Sequence, residues 1–151
     1  MGSASRAGEL NSARTSWRGL LQRFFALARA QLAVHRGREI DTAGDGLFAT
    51  FDGPARAVAC ALAMSREARA LGFEIRAGLH TGEIEASGDK VAGIAVHIGA
   101  RVMSQAGAGE VLVSGTVKDL TAGAGLSFEP RGLHVLKGVP GEWVLHRALT
   151  G

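Results

Sequence analysis

Asp45 stands between Gly44 and Gly46 in the run AGDG, with a strand-like segment on either side. Two glycines bracketing a carboxylate are hairpin-turn chemistry. A carboxylate held on a tight turn is exposed and rigid, as a ligand for a hard cation should be. Taken alone, the same residue reads first as a turn aspartate bonding its own backbone. Further along, VHIGAR places His97 and Arg101 four residues apart, which puts them on one face of a helix. A packed histidine and a surface ion pair are the plain alternatives for these two. Lys137 lies in the loop-like run LKGVPGEW, where an ordinary loop lysine is the plain alternative. His80 in GLHTGEIE, with Glu83 and Glu85, offers ligand-type side chains, but their spacing fits no standard zinc pattern. The runs AGAGE and TAGAG do not follow a strand and open a helix, so they are not dinucleotide-binding loops.

The elements that must hold these residues are legible from periodicity. Trp17, Leu20, Leu21, Phe24, Leu27, Ala28 and Leu32 recur at helical spacing from Thr15, with Ser16 as a candidate cap and Gly37 marking the end. The next unit reads as a strand over Glu39–Thr42, the AGDG turn, and a strand over Leu47–Phe51. Asp52-Gly53-Pro54 opens a second helix with an apolar stripe of Ala57, Val58, Ala61, Leu62 and Ala68. Phe73–Leu79 alternates like a strand, and Glu83–Ala86 continues after a break. A third helix is expected over Ala92–Gln105, a short apolar strand over Glu110–Ser114, and one or two helical turns over Thr116–Leu120. Leu126–Phe128, Gly132–Leu136 and Trp143–Arg147 close the chain as strands, and Cys60 reads as a buried helix residue.

This order predicts an α+β fold. It matches a ferredoxin-like βαββαβ pattern whose first strand is missing or replaced, with helices packed on an antiparallel sheet and a β-rich C-terminal tail. The first strand of that pattern lies in the middle of the sheet. Residues 1–13 read as a disordered lead or cloning remnant, and 14–151 as one domain.

With 151 residues, 46% hydrophobic and 21% charged, the chain is globular rather than disordered. A net charge of +3 does not argue for nucleic acid, and with only 5% aromatics and no Tyr it lacks stacking platforms, so no nucleic-acid partner is expected. No apolar run is long enough to span a membrane and the N-terminus has no signal-peptide core, so cytoplasmic residence is expected. The arginines up to Arg38 outnumber Glu9 and Glu39 and read as the solvated face of the first helix.

Four pieces of the sequence carry a family likeness: GREIDTAGDGLFATFDGPARAVACA, IRAGLHTGEIE, VAGIAVHIGARV and LKGVPGEW. In order and spacing, from about Trp17 to Leu149, the chain resembles the catalytic domain of the class III nucleotidyl cyclases, the adenylate/guanylate cyclases, and most of all the compact bacterial type. The resemblance implies conversion of ATP or GTP to a 3′,5′-cyclic nucleotide and pyrophosphate. It implies Mg2+ or Mn2+ as the metal and a head-to-tail homodimer that shares its sites. Two-metal chemistry of this kind activates the attacking ribose oxygen and neutralises the triphosphate.

By the same resemblance, Asp45 corresponds to the second metal-binding aspartate and Arg101 to the arginine on the phosphate in the transition state. His97 takes the place of a ribose-orienting asparagine, and Lys137 that of a lysine holding the triphosphate. Asp41 and Lys90, or Asp89 if the register slips by one, fall at the base-selecting positions. Asp41 stands where adenylate cyclases carry lysine and guanylate cyclases an acid, and base choice stays open. No segment before Trp17 resembles the opening strand with the first metal aspartate. A split sheet, a strand donated by a partner chain, or a domain that begins further upstream would each accommodate this. Two functional expectations follow: a cyclase, impaired in this chain, or a catalytically degenerate cyclase-homology domain that dimerises or regulates.

Overall fold

The computed structural model describes residues 7–43, 46–82, 85–87 and 90–150. The first helix, α1, spans Ala7–Val34, so its start lies ahead of Thr15 and Ser16 is interior rather than a cap. Residues 7–13, expected as part of a lead, are its first turns. Phe24, Ala28 and Leu32, spaced by four, are buried against Cys60, Met64 and Ala68 of α2 (Pro54–Ala70). The left-handed residue after α1 is Arg36, at φ 57°, rather than Gly37. Gly37 is needed for space: a Cβ there would lie 2.5 Å from the Phe51 ring. Pro54 sits in the first turn of α2 with Gly53 as N-cap, as its fixed φ favours. Cys60 is fully buried, and burial pushes its thiol pKa up to about 11.

Strands β1 (Gly37–Ala43) and β2 (Gly46–Phe51) form the expected hairpin, with a bulge between Glu39 and Asp41. Of the alternating stretch 73–79, only Ala77–Leu79 enters a ladder, as β3. Phe73 and Ile75 keep the inward positions and Glu74 and Arg76 the outward ones without strand pairing. A small hairpin, β4 (Glu85–Ser87) and β5 (Lys90–Ala92), leads into α3 (Ile94–Ser104). Then come β6 (Val111–Ser114), α4 (Gly115–Leu120), β7 (Ser127–Val135) and β8 (Glu142–Leu149).

The larger sheet has the order β3-β6-β8-β7. It is mixed rather than purely antiparallel. β3 and β6 run parallel, while β6–β8 and β7–β8 run antiparallel. The connection from β3 to β6 carries a hairpin and α3, long enough for the crossover that a parallel pair requires. The two strands expected at 126–128 and 132–136 are one strand, β7, kinked between Pro130 and Leu133. Proline is tolerated there because β7 is an edge. Glu110, nearly buried ahead of β6, receives Arg131 of β7 at 2.6 Å and 3.1 Å, and that guanidinium holds its carboxyl below the usual range. Among the described residues, no helix is long and apolar enough to cross a membrane.

The core on the α3 side is Ile98, Val102, Ala106, Leu112, Leu136, Val139 and Leu145. Leu112 is fully buried at its centre on β6. Leu112→Ala is expected to lower unfolding free energy by about 2–5 kcal/mol, through lost apolar burial and the cavity left behind. Urea denaturation followed by Trp fluorescence measures it. A change under about 1 kcal/mol would mean this core is loosely packed.

Candidate functional site

Helix α3 carries its apolar residues Ala95, Ile98 and Val102 inward and leaves His97 and Arg101 half-buried on its flank. Its N-cap, Gly93, has φ 130°, a conformation only glycine adopts without strain. Among the described residues, Arg101 has no carboxylate within ion-pair distance. No described carboxylate neutralises its charge.

The loop between β7 and β8 is pinned against this helix. Leu136 and Val139 are buried in the same cluster as Ile98 and Val102, and a turn bond from Val139 N to Leu136 O at 3.0 Å closes the loop. The two residues between them, Lys137 and Gly138, are forced outward and are exposed. Gly138 has φ 76°, and a Cβ on it would lie 3.1 Å from His97 Nε2. The loop thus sets its backbone directly against the His97 ring, with the Lys137 ammonium beside it in chain order.

A third element meets α3 at its N-terminal end. A Cβ on Gly82 would lie 3.1 Å from the Ala95 Cβ. Just before it, at the end of β3, His80 Nδ1 is 2.7 Å from the Ser114 hydroxyl of β6. The His80 ring stands edge-on to Trp143, with centroids 5.5 Å apart. Trp143 donates its Nε1–H to Pro140 O at 3.1 Å and packs on the α3-side core, so it anchors the Lys137 loop. The His80–Ser114 pair is not legible in the sequence. Its only trace there is a histidine at the end of one strand and a serine at the end of another.

Partial burial holds the His80 pKa below the ordinary imidazole value, and His146 is shifted the same way, also mainly by burial. The unfolded chain therefore takes up protons before the folded chain does. The stability of keeping these rings neutral is complete above about pH 6.5 and is lost as pH falls through the folded values. Urea midpoints are expected to fall between about pH 7.5 and pH 5.5, and to fall less in His80→Gln. An unchanged pH slope in that variant would place the titration elsewhere.

The other candidate residues are on the two hairpins or outside the description. Asp41 is exposed on β1, and its Oδ1 accepts from Thr42 N–H at 2.8 Å. Lys90 opens β5, paired with Ser87. Asp45 and Asp89 lie outside the described residues, as does Glu83. Among the described residues, no group of three or more His, Cys, Asp or Glu could hold a metal ion.

No model of a known protein family matches the sequence. An uncharacterized protein of Mycobacterium tuberculosis is 35% identical over 106 residues, covering 68% of this chain and 37% of that protein. This chain therefore spans little more than a third of that relative's length. Among solved structures, an adenylate/guanylate cyclase/hydrolase from Silicibacter pomeroyi superposes with a TM-score of 0.77 at 22% identity, covering 97% of this chain and 91% of that one. The guanylate cyclase domain of a Catenaria anguillulae protein, in complex with GTP, superposes with a TM-score of 0.70 at 19% identity, covering 85% and 81%. The helix with His97 and Arg101, the pinned Lys137 loop and the β1–β2 hairpin are thus parts of one known architecture: the chain has the fold of the class III adenylyl and guanylyl cyclase domains.

Proposed function

We propose that this chain is a cyclase-family domain that binds a nucleoside triphosphate, ATP or GTP, and closes it to a 3′,5′-cyclic nucleotide with release of pyrophosphate. The ribose 3′-oxygen attacks the α-phosphorus, its proton is lost, and the bond to the bridging oxygen of pyrophosphate breaks. Two copies arranged head to tail share the sites. The observation that carries this reading is the convergence on α3: His97 and Arg101 on one helix, the latter without an ion-pair partner among the described residues, with the Lys137–Gly138 backbone against His97.

Each residue has a role its chemistry suits. Lys137 holds the triphosphate as a mobile point charge on a rigidly anchored loop. Arg101 meets the negative charge that grows on the phosphoryl oxygens, where a fixed cation lowers the barrier most. His97 donates one hydrogen bond to the ribose. Asp41, exposed on β1, accepts from the hydrogens on a base edge, with Lys90 or Asp89 as the second contact.

Divalent metal, Mg2+ or Mn2+, is the cofactor of such chemistry. Bound beside the nucleotide, it would supply activation of the attacking oxygen and screening of the triphosphate. The described residues do not assemble a site for it, and the Asp41 carboxylate accepts the Thr42 backbone N–H. Asp45 is the one residue proposed as its ligand.

The test is mass-spectrometric detection of cyclic AMP and cyclic GMP after incubation with Mn2+ and ATP or GTP. Product is expected, and the preferred base identifies the substrate. A folded protein that makes neither product would favour the second reading, a degenerate cyclase-homology domain that acts by dimerising or regulating.

A further inference from the structure

His80 in GLHTGEIE has no role in the chemistry above, yet the fold fixes its ring. β3 and β6 run parallel with Leu79 beside Val113, so the next residues, His80 and Ser114, leave the pair together. His80 Nδ1 is 2.7 Å from the Ser114 hydroxyl, and Ser114 is fully buried. Ser114 is also the N-cap residue of α4, where a serine ordinarily turns its hydroxyl onto the first helical N–H groups. Here the hydroxyl makes no cap bond. The bond to His80 stands in its place: the helix end forgoes a side-chain cap, and the imidazole gains a fixed orientation.

The fixed ring bears on Trp143. Ser114 pairs with Leu145 of β8, and Trp143, two residues earlier, lies on the same face of that strand. The imidazole and indole meet edge to face, centroids 5.5 Å apart, an arrangement aromatic rings favour. Trp143 in turn donates its Nε1–H to Pro140 O at 3.1 Å. Pro140 follows Lys137, Gly138 and Val139 in the loop set against His97. A continuous line of contacts therefore runs from the buried end of β6 to the loop that carries Lys137. The pair is not a nucleophile with its base, because the Ser114 hydroxyl is closed off from any substrate.

We propose that His80 is a positioning residue for nucleotide binding: held by Ser114, its ring fixes Trp143, and Trp143 fixes the loop that presents Lys137 to the triphosphate. This rests on the nucleotide reading above. The effect is preorganisation, since a loop ordered before the nucleotide arrives loses less freedom on binding. Lys137 holds the triphosphate from the moment it binds, so loss of His80 weakens binding itself rather than a later step.

Titration calorimetry with Mn2+ and the α,β-methylene analogues of ATP and GTP tests it without turnover, because the bond to the leaving pyrophosphate is blocked. His80→Ala is expected to weaken binding about tenfold, the scale of coupling within one contact network. Ser114→Ala removes only the hydroxyl and no cap bond, and is expected to weaken binding about threefold. In a Lys137→Ala background neither substitution is expected to weaken it further by more than about twofold, since the lysine they position is gone. By NMR without nucleotide, the Trp143 indole N–H is expected to exchange faster in both variants than in the parent. Losses that multiply in the double variants would overturn the proposal and leave the nucleotide reading standing. So would parent-like binding in both single variants, or an unchanged indole exchange rate. A parent that binds neither analogue would overturn the nucleotide reading, and this proposal with it.

Discussion

Arg101→Ala is expected to lower cyclic-nucleotide formation by about a hundredfold to a thousandfold, the usual loss when one preorganised donor to a developing anion is removed. The size of the effect follows from where the side chain stands. Arg101 is half-buried on α3, next to the buried Val102, so its backbone is held rigidly. Among the described residues it has no carboxylate within ion-pair distance, so its charge is not already spent on a neighbour. Nothing in the core depends on it, and the urea midpoint is expected to stay close to that of the parent. Arg101→Lys keeps the charge but loses the planar fork, and an intermediate rate is expected. Steady-state product formation with Mn2+ and the preferred nucleotide measures all three proteins. An alanine variant that retains more than about a third of the parent activity would remove Arg101 from the phosphate site.

Gly78→Ala carries the second large effect, on folding rather than chemistry. Gly78 is the middle residue of β3, and a Cβ there would overlap the backbone N of Met103 and lie 2.5 Å from its Cα. The obstacle is main chain, so no rotamer change relieves it. Either α3 shifts away from β3 or the pair does not form. Overpacking usually costs about 1–3 kcal/mol, and a backbone collision lies at or above the upper end. A shift of α3 also moves His97 away from the Lys137 loop. Gly78→Ala is therefore expected to lose both urea stability and activity, whereas Arg101→Ala loses activity alone. Gly53→Ala is the matched control, because a Cβ at Gly53 meets nothing within 4 Å. A Gly78→Ala protein as stable as the parent would show that α3 and β3 are not locked together.

The two effects differ in how far the sequence anticipates them. Arg101 is visible because VHIGAR sets His97 and Arg101 on one face of a helix, and helical periodicity is a local property. Nothing about Gly78 in IRAGLH distinguishes it from a turn glycine; its role comes from Met103 on α3, far along the chain. The same contrast holds for Lys137. Its type and loop setting are legible, but its placement rests on Leu136 and Val139 packing against Ile98 and Val102. His80 offers a metal-ligand side chain in sequence, and in the fold it is bonded to Ser114 and set against Trp143.

What the residues determined alone is whatever short-range physics decides. The β1–β2 hairpin follows from the glycines around Asp45, α2 from Pro54 and its stripe, and β6 from a short apolar run. The four motif pieces, in order, pointed to the cyclase fold. Tertiary structure alone decided what depends on elements meeting in space. The parallel β3–β6 pair, the fusion of two expected strands into β7 and the left-handed turn at Arg36 are of this kind. A strand's alternation tells which face is inward but not which strand lies beside it. Pairing is settled by burial and backbone bonding summed over distant segments, and no window of sequence contains both partners.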